Sequence, residues 1–496
     1  MKRKFIKIFI CSCAIALDFV ISFAWASPQP IPQRIVEYRV QSGARENFGT
    51  ESLLAFQKEI KIPGAPWLRL QFDDFNLGEK SYIQVTNKLD GTSQKLDAQA
   101  LIRWHKGSAY FKGNTLEVKL HVAPEEKGIF FNISKVTRGE KTKKDKRQEN
   151  TSQESLTPCG SDDRVRSTDV RVARIFPVGC TAWLIGNRAF LTAGHCVDLD
   201  ADGIVDTDQL QVVEFNVPSS ESDGDIVPSA PQDQYPINLA DVDRNGVPDR
   251  MKFRFEGEGR GFGKDWAVFD VLYNNNCSIT RSQPCSSYKD CPSNETCGIF
   301  PSFAQGDFFR LTQRSVKARD LIRVTGFGTD EDPQGSTGGR NSNNQTNQTS
   351  TGPYLDDGSD GTNLWHEYQV DTEGGNSGSP IILEAVNSGL TIGIHTNGGC
   401  SETGGNAGTS FNNQDLADAI NNFVGSNVVY VDPNTLESSE NGTIFKPYNT
   451  LQEGLDAVSS GEKVYIVPGQ YFHNSIKGKR LRLVAPSGRV KIKKSP

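Results

Sequence analysis

A predominantly β chain of several domains is predicted from three features. Apolar and polar residues alternate over short runs through much of the length, glycine is abundant at 47 residues, and apolar spacing of the helical kind is hard to find. Alternation at period two marks a half-buried strand, and frequent glycine marks the turns that join strands. At 496 residues the chain is long enough for three or four such units. Charged residues make up 23% with a formal net charge of −6, a balance that gives no basis for nucleic-acid binding.

Taken in order, residues 1–26 carry Lys2-Arg3-Lys4, an apolar stretch from Phe5 to Phe23 and then Ala24-Trp25-Ala26. This is the pattern of a secretory signal, with the mature start near Ser27 and a secreted, extracellular or periplasmic, destination. Asp18 interrupts the apolar stretch, which argues against a retained anchor, so no membrane span is expected after removal. Of ten cysteines, Cys11 and Cys13 leave with the signal. The even number remaining in an exported chain predicts four disulfides and an oxidising compartment. Residues 27–137 alternate in Trp67–Phe72, Ser81–Val85 and Leu116–Val122 and predict an N-terminal β-sandwich, a candidate propeptide. Its His105 and His121 have no metal-ligand company and read as ordinary strand residues. Residues 138–157 are charged and polar throughout, a composition that builds no core. They read as a linker or a processing region, in which Glu149 and Glu154 stand as candidate cut sites.

The chemistry concentrates in residues 158–425. Thr192-Ala193-Gly194-His195-Cys196, Asp265-Trp266-Ala267-Val268 and Gly375-Asn376-Ser377-Gly378-Ser379-Pro380 supply an imidazole, a carboxylate and a hydroxyl in chain order. A serine hydroxyl is a poor nucleophile until a base removes its proton, and a carboxylate must hold that base in the right tautomer. His195 is therefore the expected general base, Asp265 its orienting carboxylate and Ser377 the nucleophile. The backbone N–H groups of Gly375 and Ser377 would form an oxyanion hole. Cys180 precedes Cys196 by sixteen residues, and the apolar runs between them read as two short strands joined at Gly186-Asn187-Arg188. A Cys180–Cys196 disulfide would pin the His195 loop to the neighbouring strand.

With these segments the region from about Cys159 to Val424 resembles the trypsin-like serine peptidases. Within them it is most similar to the bacterial V8-like glutamyl endopeptidases, which share the marks Ser161-Asp162-Asp163-Arg164 and Ile392–Gly399. The resemblance implies a chymotrypsin-like double β-barrel. It also implies a P1 glutamate site at Thr372, five before the nucleophile, and His395, eighteen after it. Asp371, six before Ser377, occupies the place where trypsin binds Arg or Lys, which leaves a basic P1 preference as the alternative. Asn376 stands where trypsin-like zymogens carry an Asp, so the family's N-terminal activation switch is absent.

Three insertions depart from a minimal protease. Residues 198–250 hold Asp198-x-Asp200-x-Asp202-Gly203-x-x-Asp206 and Asp241-x-Asp243-x-Asn245-Gly246-x-x-Asp249. Alternating oxygen ligands around a glycine turn suit a hard cation, so structural calcium is expected, with no cofactor for catalysis. Neither loop has Glu at the twelfth position of an EF-hand. Cys277, Cys285, Cys291 and Cys297 crowd a segment poor in apolar residues and predict two local disulfides, with all three pairings open and zinc as the alternative. Cys159 and Cys400 remain as a fourth pair. Gly335–Thr351, rich in Asn, Gln, Ser, Thr and Gly, reads as a mobile loop. Residues 428–496, with Val429–Pro433, a short helix over 450–458 and Val464–Tyr471, resemble the opening of a pectin-lyase-like parallel β-helix.

The expected protein is thus a secreted serine endopeptidase acting on protein or peptide substrates, with surface or carbohydrate contact assigned to its flanking modules. The rival readings are a surface-binding protein with weak proteolysis and an esterase. The latter is disfavoured because Gly375-Asn376-Ser377-Gly378 is out of frame for a G-x-S-x-G elbow.

Overall fold

Thr115–Val122 reads TLEVKLHV and buries every second residue, as a strand with one face on a core must. It pairs with Leu53–Lys61 and Tyr82–Asn87, which also pairs with Ser93–Leu96, in one four-stranded sheet. The facing sheet runs in the order Gln33–Gln41, Phe130–Gly139, Trp67–Asn76, Phe111–Lys112. Leu68, Leu70, Phe72, Ile83, Val85, Val118, Leu120 and Phe131 fill the space between them. This is the β-sandwich expected for the N-terminal region, and its last strand carries on to Gly139. The computed structural model describes residues 28–141 and 158–494, less residues 187, 258–261, 286–287, 332–339, 359–360, 385–388, 401–403, 426, 436, 474–479, 486 and 488–489. The signal, Glu149 and Glu154 lie outside the described residues.

The next two units are barrels. Gln234–Pro236, Leu210–Glu214, Val172–Pro177, Cys180–Leu184, Ala189–Thr192, Asp265–Asp270 and Met251–Phe255 follow one another in a curled, antiparallel half-barrel. The two strands expected between Cys180 and Cys196 are there, paired Trp183 to Leu191. Residues 198–250 are not wholly an insertion, since Leu210–Glu214 and Gln234–Pro236 are barrel strands. The second barrel orders Leu390–Asn397, Pro380–Leu383, Leu321–Gly326, Gln348–Asp356, Trp365–Tyr368 and Asn406–Ser410. Pairing of the first with the last closes it. The chain is mostly β, with the two-barrel architecture expected.

The Asn- and Gln-rich stretch departs from the expected loop. From Gln348 it is a barrel strand, and Asn344, Gln345 and Gln348 are buried. Their amide nitrogens find acceptors, Asn344 Nδ2 donating to Gly224 O at 2.9 Å and Gln345 Nε2 to Gln29 O at 2.7 Å, while Oε1 of Gln345 and of Gln348 has no hydrogen-bond partner among the described residues. A buried amide whose N–H groups find acceptors can take a place in a barrel wall.

Helix Gln414–Val424 follows, capped by Asn413, whose side chain accepts from the Asp415 and Leu416 amides. Val428–Val431, Lys463–Ile466 and Arg482–Val484 then stack in parallel, as do Gly469–Phe472 and Val490–Lys493. Between the first two strands lies helix Leu451–Ala457, with a Thr450/Glu453 capping box. Parallel strands at successive turns of the chain are the β-helix-like coil expected. Disulfides join Cys159–Cys400, Cys180–Cys196, Cys277–Cys291 and Cys285–Cys297, so the four-cysteine segment is stapled rather than zinc-bound.

Candidate active site

His195 sits in a single 3-10 turn, Gly194–Cys196, at the end of Ala189–Thr192. The adjoining Cys180–Cys196 bond anchors it to the neighbouring strand. Asp265 opens the strand Asp265–Asp270, which pairs with Ala189–Thr192. Both Asp265 oxygens meet His195: Oδ1 accepts from its backbone N–H at 3.0 Å and Oδ2 contacts ring Nδ1 at 2.6 Å. That contact fixes the proton on Nδ1 and leaves Nε2 as the basic nitrogen.

Ser377 lies just before the second-barrel strand Pro380–Leu383 and reaches the first barrel through its backbone carbonyl. Its carbonyl accepts from the Thr181 N–H at 2.9 Å, and Cys196 Sγ lies 3.8 Å from the same oxygen. The turn around it demands glycine twice. Gly375 has φ +97°, and a Cβ there would stand 2.6 Å from Phe327 O. Gly378 has φ +88°, and a Cβ there would overlap Thr181 O and Thr192 Oγ1. Gly374 O accepts from the Thr329 N–H at 2.9 Å. In a planar trans peptide the next N–H, that of Gly375, then points away from Thr329. Asn376 turns inward, its Oδ1 accepting from the Glu373 amide at 2.9 Å.

His395 lies alongside. Its backbone N–H donates to Ser379 O and its carbonyl accepts from Gly378 N–H, both at 2.8 Å. Its Nδ1 is 2.6 Å from the Tyr368 hydroxyl, and its Nε2 is buried with no hydrogen-bond partner among the described residues. Burial, with His195 nearby, pushes its pKa down to about 3, so the ring is neutral at ordinary pH. If Tyr368 donates to Nδ1, the proton of His395 is on Nε2, a buried donor awaiting an acceptor. Thr372 Oγ1 accepts from Asn406 Nδ2 at 2.9 Å and keeps its own proton to give. Asp371 is engaged otherwise: its oxygens accept from the Cys159 and Asp163 amides at 2.6 and 2.7 Å. Burial raises this carboxyl against those amides, and its role is to cap the segment that opens the barrel domain.

In the aspartate loops, carboxylate oxygens of Asp198, Asp200 and Asp206 lie within 4.8 Å of one another, as do those of Asp241, Asp243 and Asp249. Asp202 falls outside the first group, and Asp202 and Asn245 each accept from the amide two residues on, Ile204 at 2.7 Å and Val247 at 2.8 Å. The loops repeat each other in detail and touch, Val205 N–H donating to Gly246 O at 3.0 Å. Burial, with neighbouring aspartates, raises the Asp198 and Asp206 carboxyls, a crowding that a divalent cation would relieve.

Sequence reasoning missed Tyr368 and Asn406, the partners of His395 and Thr372. They sit on paired strands, Trp365–Tyr368 and Asn406–Ser410, and only barrel closure brings them to the site. A cleft of about 680 Å³ lined by Arg171, Asp307, Arg310 and Arg323 includes none of these residues.

No family model matches the chain, and no curated protein matches it. Solved structures similar to it include a Glu endopeptidase in complex with MPD, 17% identical over 54% of this chain and 98% of that one, with a TM-score of 0.33. Human heparin binding protein is 15% identical over 52% and 96%, with a TM-score of 0.32. Neuropsin, a serine protease expressed in the limbic system of mouse brain, is 14% identical over 52% and 96%, with a TM-score of 0.32.

Proposed function

We propose that this chain is a secreted serine endopeptidase that cleaves after glutamate. The observation that carries the catalytic part is the double contact of Asp265 with His195 beside the glycine-framed turn of Ser377. His195 Nε2 takes the Ser377 proton as Oγ attacks the scissile carbonyl. Asp265 stabilises the imidazolium, and the Gly375 and Ser377 N–H groups receive the oxyanion. Collapse expels the amine, which takes the proton from His195. Water, deprotonated by the same base, then releases the acyl group and restores Ser377.

Glutamate specificity is supported by the unpartnered Nε2 of His395 and the free proton of Thr372, two neutral donors suited to a carboxylate. The basic alternative loses its support because both Asp371 oxygens are occupied by backbone amides. The aspartate loops are proposed to hold calcium as a structural ion, through Asp198, Asp200, Asp206, Asp241, Asp243 and Asp249.

The test is cleavage of a peptide library by the secreted protein, with Ser377→Ala as control. Ser377-dependent cleavage after Glu, lost in His395→Ala while other substrates persist, is the expected result. Cleavage after Arg or Lys would move specificity away from His395. No Ser377-dependent cleavage would overturn the protease reading.

A further inference from the structure

The chain's own N-terminal segment runs into this site. Gln29 N–H donates to Gly179 O at 3.3 Å and Ile31 N–H to Pro177 O at 2.9 Å, an antiparallel pairing along the rim of the first barrel. Gly179 adjoins Cys180, whose disulfide partner Cys196 follows His195. Gln29 O accepts from Gln345 Nε2 at 2.7 Å, and Gln29 Oε1 from Arg340 at 3.3 Å. The side chain then lies over the oxyanion turn: a Cβ on Gly374 would overlap the Gln29 carboxamide, and one on Gly179 would overlap Gln29 O. Two glycines therefore make room for one foreign residue. Ser377 has no exposed surface, and His195 is 4% exposed.

We propose that the edge formed by Pro177–Gly179, Gly374, Gln345 and Arg340 binds an extended peptide on the leaving-group side of Ser377. Its occupant in the intact chain is the Pro28–Ile31 segment, which competes with substrate there. This rests on the protease reading above. The sequence Pro28-Gln29-Pro30-Ile31-Pro32 suits the task. Proline has no N–H and a fixed φ, so the only donors are those of Gln29 and Ile31, both spent on the rim, and little chain entropy is lost on ordering. The strap is also tethered. Ile31 is buried in the sandwich core, Pro32 O accepts from Glu140 N–H at 2.9 Å, and Gln33 begins the strand paired with Phe130–Gly139. The sandwich thus holds its own leading residues in the cleft. A peptide strand laid on an exposed edge gains affinity from main-chain bonds and selectivity from side-chain seats, and the seat occupied by Gln29 suits an uncharged amide.

The test uses the full-length protein and two substrates sharing one P1 residue: an ester with a small leaving group, and a quenched peptide running four residues past the scissile bond. Gln29→Ala, and separately Gln29→Gly, should raise kcat/KM for the extended peptide, through KM. For Gln29→Ala a rise of about tenfold is expected, the equivalent of about 1.4 kcal/mol. The ester rate should stay within about twofold of the parent's, since a small leaving group does not reach that edge. The free peptide Pro-Gln-Pro-Ile-Pro-Gln should inhibit Gln29→Ala competitively against the extended substrate. A peptide-to-ester ratio unchanged in both variants, with the ester still turned over by Ser377, would overturn the strap and leave the protease reading standing. A fall in both rates would identify damaged folding and count against it equally. Loss of every Ser377-dependent reaction would overturn both.

Discussion

The two modules that flank the barrels are attached by different proportions of apolar and polar contact. The N-terminal sandwich meets the first barrel through a shared apolar cluster, in which Phe176, Val212 and Ile226 join the sandwich core, and through a set of hydrogen bonds. Arg69 reaches Gln211 at 2.7 Å, Tyr110 and Gln234 exchange bonds at 2.9 and 2.8 Å, His105 contacts Ile237 O at 2.8 Å and Arg103 contacts Asn275 at 2.9 Å. Trp67 packs edge-on against Phe176, with centroids 5.2 Å apart. The C-terminal coil shares an apolar cluster with the barrels and the helix that follows them: Tyr430, Ile444 and Phe445 pack with Phe309, Phe411, Ile420 and Phe423. One ion pair, Arg310–Asp432 at 2.5 Å, lies beside it. A seam rich in exchangeable polar contacts resembles a separable interface, whereas an apolar seam resembles a core cut in two. The sandwich seam carries both kinds of contact, and the coil seam chiefly the second.

That contrast can be broken or sharpened, beginning with the largest effect. Ser377→Ala should cost at least about 10⁴-fold in peptide hydrolysis, fixing the floor against which either module's influence is read. Tyr430→Ala, which removes a buried ring from the coil seam, should destabilise the barrel–coil unit by about 3 kcal/mol, seen as a lowered thermal midpoint. An equal loss of sandwich docking would erase the distinction. Chelation with EDTA should lower the melting of the first barrel by about 2–3 kcal/mol, if calcium saturates the aspartate loops about a hundredfold above its Kd, and leave the isothermal affinity of the coil seam unaltered. The smallest effect is the pH response of the sandwich seam. Burial, and next the Arg69 charge, hold His105 down to about 4 from an ordinary 6.5. A histidine depressed in the docked state is neutral there, so acid favours the undocked, protonated form. Docking should weaken as pH falls below about 6.5 and level off below about 4, by about 1–2 kcal/mol for a ring that keeps some solvent contact. His105→Gln should abolish this dependence in thermal melts taken across that range.

How much was legible from sequence followed from how local each constraint is. His195, Asp265 and Ser377 could be singled out as candidates because each sits in a short segment whose neighbours are fixed by the turn or strand carrying it. The Gly375 and Gly378 conformations are written as glycine. The pairing of Cys180 with Cys196 is local too, across one hairpin. What composition misjudged was the Gln345–Gln348 region. Amide side chains look solvated in a list of residues, and only three-dimensional partners such as Gly224 and Gln29 reveal them as buried. The place of Asp371 was equally non-local, since its amide donors lie more than two hundred residues away. Gln29 left no signal beyond alternating prolines, because its seat is assembled from the rim at Gly179 and the turn at Gly374.

All four disulfides lie between Cys159 and Cys400, and neither flanking module contains a cysteine. A cut anywhere between the sandwich and Cys159 would therefore sever every covalent link to the sandwich while the new end of the barrel domain stayed bonded to Cys400. From that moment the strap would be held by affinity alone, its effective concentration falling from that of a tethered neighbour to that of a free protein. Dilution into the surrounding medium, rather than any change in the barrels, would then set the pace at which the cleft opens.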